Sequence, residues 1–142
     1  MPATTTARAS CRHVTYGTVG WRARGSSSIQ MVILMPALFS VMFLGMQGAL
    51  YYHARTVAIA AAQEGARAAG AQNGTADGGI SAAASFVGDA GGNNVLPGAQ
   101  MSGTRTATTA TVTVTGTSLS VIPGWSPAVS QSASVPVERI TR

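Results

Sequence analysis

Hydrophobic and polar positions change character along the chain, and the longest apolar run lies near the N-terminus. This run, IQMVILMPALFSVMFLGMQGAL, extends from Ile29 to Leu50, and no charged residue occurs between Arg24 and Arg55. A helix of that length spans about 33 Å, enough to cross a hydrocarbon core of about 30 Å. A signal peptide is the competing interpretation, but its apolar region normally has only about 7–15 residues. The pattern therefore predicts a membrane-spanning helix.

The residues after the apolar run favour continuation of the same helix. Residues 51–72 are rich in Ala and contain no Pro, so the helix is predicted to extend beyond the lipid. Small residues recur along it in two neighbouring rows, Ala54, Ala58, Ala62, Ala66 and Gly70 in one and Ala61, Gly65 and Ala69 in the other. Such rows let helices approach closely, although any Ala-rich helix contains them by composition. Packing against a partner helix is therefore left open.

The C-terminal half alternates between Gly-rich turns and short regular elements. Residues 70–103 read mainly as linkers and turns, interrupted by a short amphipathic helix over residues 80–87. Its predicted apolar face consists of Ile80, Ala83, Ala84 and Val87.

Thr- and Val-rich segments then predict β-structure. The segment TRTATTATVTVTGT, residues 104–117, predicts a strand with Val112 and Val114 on one face. Residues 129–137 predict a second strand, in which Pro136 must lie at an edge or at the strand's end. The connector between them is apolar, and we expect four of its side chains to pack on the sheet or on a neighbour: Leu119, Val121, Ile122 and Trp125.

These elements together predict an α+β chain in three parts. Residues 1–25 form a basic leader, residues 26–72 the membrane helix and its extension, and residues 73–142 a small exterior domain with a short helix and an antiparallel sheet. The exterior part has few large apolar side chains, and the single cysteine, Cys11, cannot form an internal disulfide. We therefore expect the exterior part to be only marginally stable by itself.

Charge is concentrated before the apolar run. All nine basic residues are Arg, and the leader holds four of them and no acid. By the positive-inside rule this places the N-terminus in the cytoplasm and the C-terminal domain outside, in a single-pass cell-membrane protein. Residues 26–142 carry five Arg and four acids without a basic patch interleaved with aromatics, which argues against a nucleic-acid partner.

The sequence holds no catalytic or metal-ligating constellation of useful strength. On one continuous helix His53 and Glu64 are separated by about 16 Å, too far for an acid–base pair. The Ser and Thr residues have no positioned base, and the four acids are scattered. We therefore expect no enzyme, no cofactor, no metal and no small-molecule substrate.

The junction between leader and apolar helix has the layout of a class III prepilin signal. The residues RARGSSSIQM, from Arg22 to Met31, combine a basic leader, a Gly and a retained hydrophobic helix. Further features follow in order: Pro36 within the helix, EGAR at residues 64–67, a Thr/Val strand, a Pro-Gly connector and a last strand ending in PVER at residues 136–139. In this order the chain, over residues 24–142, resembles the TadE-like pseudopilins of Flp/Tad pilus systems.

The resemblance implies a structural minor pilin-like subunit of a Flp/Tad-type pilus or secretion assembly. It implies cleavage between Gly25 and Ser26 by a prepilin peptidase, and an assembly helix whose notable residues are Gln30, Pro36, Glu64, Gly65 and Arg67. The implied partners are other pilin-like or Tad assembly subunits, the peptidase and the lipid bilayer. The alternative is an uncleaved single-pass scaffold or binding protein of the cell envelope.

One position departs from the family pattern. The family usually carries Glu at the fifth position after the cleaved Gly, and this chain has Gln30 there. In pilin-type assembly that carboxylate is thought to meet the N-terminal ammonium of a neighbouring subunit within lipid, where an unpaired charge is costly. Gln forms hydrogen bonds but cannot neutralise the charge.

Overall fold

A computed structural model of the chain describes residues 24–139, with side chains from residue 29 onward. The predicted leader, including Cys11, lies outside the described residues apart from the backbone of Arg24 and Gly25. Residues 37–139 belong to one compact unit, and the first turns of the long helix, up to Pro36, belong to a separate unit that precedes it.

The first element, α1, is a single long helix over Arg24–Gly70. It includes both the apolar run and the Ala-rich extension, which confirms the prediction of one helix continuing past Leu50. Pro36 lies inside it, and the helix continues through that position. The two halves of α1 differ in burial, because residues 29–46 are exposed whereas much of 54–70 is buried.

A second helix, α2, covers Ala76–Asp89 and confirms the predicted short helix. It begins earlier than its apolar face because the side chain of Thr75 caps it, accepting a hydrogen bond from the backbone N–H of Gly78 at 3.0 Å. Ala83 and Val87 are buried as expected, but Ala84 is exposed, so the apolar face is narrower than predicted. A short 3-10 turn follows at Gly92–Asn94.

The sheet has three antiparallel strands in the order β1-β2-β3, formed by Gln100–Arg105, Thr109–Thr117 and Ala128–Pro136. The predicted strand over residues 104–117 is confirmed only from Thr109 onward, because a hairpin turn divides that segment. Thr106 closes this turn: its hydroxyl accepts from the N–H of Thr109 at 3.0 Å, and its N–H donates to the carbonyl oxygen of Thr109 at 2.8 Å. β1 therefore lies partly in the segment read from the sequence as turns.

The two faces of the sheet differ in chemistry as the alternation predicted. Val112 and Val114 face inward and are fully buried, whereas Thr111 and Thr113 face outward and form hydrogen bonds with Ser134 and Ser132 of β3 at 2.8 and 3.1 Å. Pro136 ends β3, an edge strand, as predicted. The inward face, α1 and α2 enclose a core built mostly from small residues: Ala54, Val57, Ala58, Ala61, Ala62, Ala66, Ala69, Ala83, Val87, Leu96, Ala110, Val112, Val114 and Val129.

Candidate membrane and assembly surface

The first half of α1 presents a continuous apolar surface that the chain itself does not cover. Within the candidate span, which begins at Ile29, the most apolar window has a mean hydropathy of 2.1 and none of it is buried. Large side chains such as Val32 and Val41 are about 70% exposed, at 72% and 69%. An apolar surface of this extent requires lipid or protein around it. The helix is therefore suited to anchor the chain in a membrane.

The predicted site residues at the start of α1 lie on or beside this surface. Gly25 and Ser26 fall in the first turns of the helix, and the side chain of Ser26 lies outside the described residues. Gln30 is exposed, as are the apolar residues that follow it, and so is Pro36. The roles of these residues in cleavage and assembly remain predictions.

The predicted pair Glu64 and Arg67 forms an ion pair on the surface of α1. The Arg67 Nη1 and Glu64 Oε2 atoms are 3.8 Å apart, and the two side chains are 70% and 51% exposed. A pair so open to water contributes little to stability.

Gly65 lies on the opposite side of α1, against α2 of the same chain. A Cβ atom at Gly65 would lie 2.7 Å from the carbonyl oxygen of Gly79 and 3.0 Å from the side chains of Ala83 and Val112. The rows of small residues in α1 are likewise buried within the chain. They allow α2 and the sheet to approach α1 closely, so the contact left open by the sequence is an internal one in this structure.

Gln47 is a buried polar side chain whose contacts the sequence did not reveal. It is only 2% exposed although it lies within the apolar run. Its Nε2 donates to the carbonyl oxygen of Leu119 at 3.2 Å, and its Oε1 accepts from the N–H of Val121 at 2.9 Å. A polar side chain at this depth needs hydrogen-bond partners, and those of Gln47 are more than seventy residues away along the chain.

A second set of contacts that the sequence did not predict satisfies carbonyl groups at the C-terminal end of α1. Arg105 of β1 donates hydrogen bonds through Nη1 to the carbonyl oxygens of Ala69 and Ala71, the latter at 2.9 Å. The N–H of Glu138 donates to the carbonyl oxygen of Gly70 at 2.9 Å. The last carbonyls of a helix have no partner within it, and a cation is favourable there. Arg105 therefore joins the sheet to the end of the helix.

Within residues 24–139, no three His, Cys, Asp or Glu side chains come together in a group that could hold a metal ion.

The fold and its exposed helix define a membrane-anchored α+β protein with a small domain packed on the second half of its own anchor helix. Residues 25–67 match the family model described as TadE-like protein. The matched segment is less than a third of the 142 residues. This match confirms the predicted resemblance over the helix. Neither the curated proteins nor the solved structures include a match to this chain.

Proposed function

We propose that this chain is a minor pilin-like subunit of a Flp/Tad-type pilus or secretion assembly. The observation that carries the proposal is the extent of the family match, which begins at Gly25 and ends at Arg67. That segment falls within α1, and it contains the exposed apolar surface and most of the segment on which the C-terminal domain packs. The match and the geometry therefore single out the same element.

The proposal includes processing of the leader. A prepilin peptidase cleaves after Gly25, and Ser26 becomes the first residue of the mature chain. The four leader Arg keep the N-terminus in the cytoplasm and leave the C-terminal domain outside. Cleavage removes these charges and leaves a new ammonium group at the start of an apolar helix.

Assembly then uses the exposed half of α1. Because the C-terminal domain packs on residues 54–70, most of the apolar surface of residues 29–46 is left for contacts with neighbouring subunits within the membrane. Gln30 is close to the new N-terminus and offers hydrogen bonds to a neighbour's ammonium. The partners are other pilin-like subunits and Tad assembly proteins.

The test is the mass of the mature chain. In cells with a working prepilin peptidase, we expect the intact mass to correspond to residues 26–142, allowing for methylation of the new amine. Gly25→Val should block cleavage, and the matched leader variant Gly20→Val should be processed normally. A full-length chain in peptidase-positive cells would contradict the proposal.

The second candidate function is an uncleaved membrane scaffold that holds another envelope component. The observation behind it is the packing of the C-terminal domain on α1, in which the core residues lie between Ala54 and Val129, far from the leader in sequence. A retained leader together with normal membrane insertion would support it.

A further inference from the structure

The segment that joins β2 to β3 lies beside the membrane helix. We call residues 118–127 the connector; its sequence, SLSVIPGWSP, contains no charged residue. Two clefts lie between parts of it and α1. One, of about 310 Å³, is lined by Leu44 and Tyr51 of α1 and by Trp125, among others. The other, of about 490 Å³, is lined by Ser40 and Phe43 and by Ile122, among others.

The position of the connector along α1 gives its depth. Leu44 and Ser40 precede Tyr51 by seven and eleven residues, which corresponds to about 10 and 16 Å along the helix axis. Both lie inside the apolar run that is long enough to cross a hydrocarbon core of about 30 Å. If the apolar run occupies the hydrocarbon core, residues 121–123 of the connector, which line the second cleft together with Ser40, lie within the core too.

Each backbone polar group of an irregular segment that enters the membrane costs free energy unless it finds a partner within the protein. Gln47 supplies two such partners, one for the carbonyl of Leu119 and one for the N–H of Val121. Inside the connector, the N–H groups of Ser118, Ile122 and Trp125 donate to the Pro127 carbonyl, the Ser120 hydroxyl and the Ile122 carbonyl. Pro123 and Pro127 have no N–H. These bonds reduce the number of connector backbone groups that depend on water, while the N–H groups of Gly124 and Ser126 have no partner among the described residues.

We propose that the connector is a re-entrant loop inserted into the leaflet on the side of the C-terminal domain. Lipid acyl chains fill the two clefts, and Trp125, which is 50% exposed, lies near Tyr51 at the boundary with the headgroups. The inference rests on the membrane anchoring in the proposed function, but not on cleavage or assembly.

Lipid is the expected occupant because the walls of the clefts continue the exposed surface of α1. Phe43 and Leu44 line the clefts and are themselves 44% and 57% exposed on the same apolar helix. The connector's exposed side chains include the apolar Leu119 and Trp125 and the uncharged Ser120 and Ser126. The small domain is then attached to the membrane at two points, α1 and the connector, and cannot swing away from the lipid surface.

The experiment uses the full chain reconstituted in phosphatidylcholine vesicles whose acyl chains carry bromine, a contact quencher of Trp emission. Trp21 and Trp125 are the only Trp residues, so Trp21→Phe leaves a single indole in the connector. Two further variants each carry both Trp21→Phe and Trp125→Phe, together with one new Trp at another position. Ala107→Trp puts it in the exposed hairpin turn, at the opposite end of β2, and Phe39→Trp puts it in the apolar run.

We expect bromine to quench Trp125 several-fold more strongly than the indole of Ala107→Trp, at both high and low protein-to-lipid ratio. Equal, weak quenching at these two positions would overturn the proposal. Strong quenching of Trp125 at low protein-to-lipid ratio but not at high ratio would overturn it as well. That result would mean that a second copy of the chain, and not lipid, occupies the clefts. The Phe39→Trp variant separates the two failures, since absence of quenching there would refute membrane anchoring itself.

Discussion

Adding a methyl group at Gly65 tests whether α1 and α2 meet backbone to backbone. In Gly65→Ala the new Cβ would lie 2.7 Å from the carbonyl oxygen of Gly79, which is backbone and cannot rotate away. The reverse contact is equally close, because a Cβ at Gly79 would lie 2.6 Å from the carbonyl oxygen of Gly65. The helices must therefore move apart, and the core between them must open.

The size of the effect follows from two opposing contributions. Overpacking of a close contact costs about 1–3 kcal/mol. Replacement of Gly by Ala within a helix returns up to about 1 kcal/mol. We therefore expect Gly65→Ala to lower the free energy of unfolding by about 1–2 kcal/mol. Gly88→Ala is the matched control, because a Cβ at Gly88 in α2 meets nothing within 4 Å, and it should be neutral or stabilising.

The assay is urea unfolding of the full chain in detergent micelles, followed by the emission of Trp125 in the Trp21→Phe background. Trp125 reports on the domain because the connector that carries it leaves the sheet and lies against α1. A Gly65→Ala chain as stable as the Gly88→Ala chain would refute the close approach of the two helices.

Three further changes address other contacts. Arg105→Met removes the hydrogen bonds to the end of α1 and should cost about 2 kcal/mol in the same urea assay, whereas Arg139→Met, which loses an exposed bond to the Ala107 carbonyl, should cost less. Gln47→Leu leaves two connector backbone groups without their partner and should lower stability by about 2 kcal/mol, whereas Gln63→Leu, at an exposed position of α1, should not. If assembly needs a charge at position 30, Gln30→Glu should raise the yield of crosslinks to partner subunits and Gln30→Leu should lower it; equal yields would show that position 30 plays no part.

The elements with a clear periodic pattern could be predicted from the sequence. The apolar run of α1, the inward Val112 and Val114, and the alternating strand that ends at Pro136 all follow from side-chain spacing. Each of these patterns is local, because it depends on the spacing of apolar and polar side chains within one element and not on contacts with distant segments.

The hairpin between β1 and β2 could not be predicted because its turn lacks the usual signals. Residues 106–108 contain neither Gly nor Pro, and the turn is closed instead by hydrogen bonds of Thr106. The sequence of β1, QMSGTR, has no run of β-branched residues, and it becomes a strand by pairing with β2.

Contacts between distant segments were also beyond the sequence. Gln47 meets the connector and Arg105 meets the end of α1, and neither pairing leaves a local pattern. The rows of small residues left a close approach open, and composition alone could not show that the neighbour is α2 of the same chain.

The most direct test of the pilin-like role is in-cell photo-crosslinking from the exposed surface of α1. A photoreactive residue at Leu38, which is 64% exposed, is introduced into cells that produce the whole Tad-type system, and the crosslinked species are identified by mass spectrometry. The account predicts crosslinks to other pilin-like subunits, lost in cells that lack those subunits. Crosslinks confined to lipid, in cells where the pilus assembles normally, would contradict it.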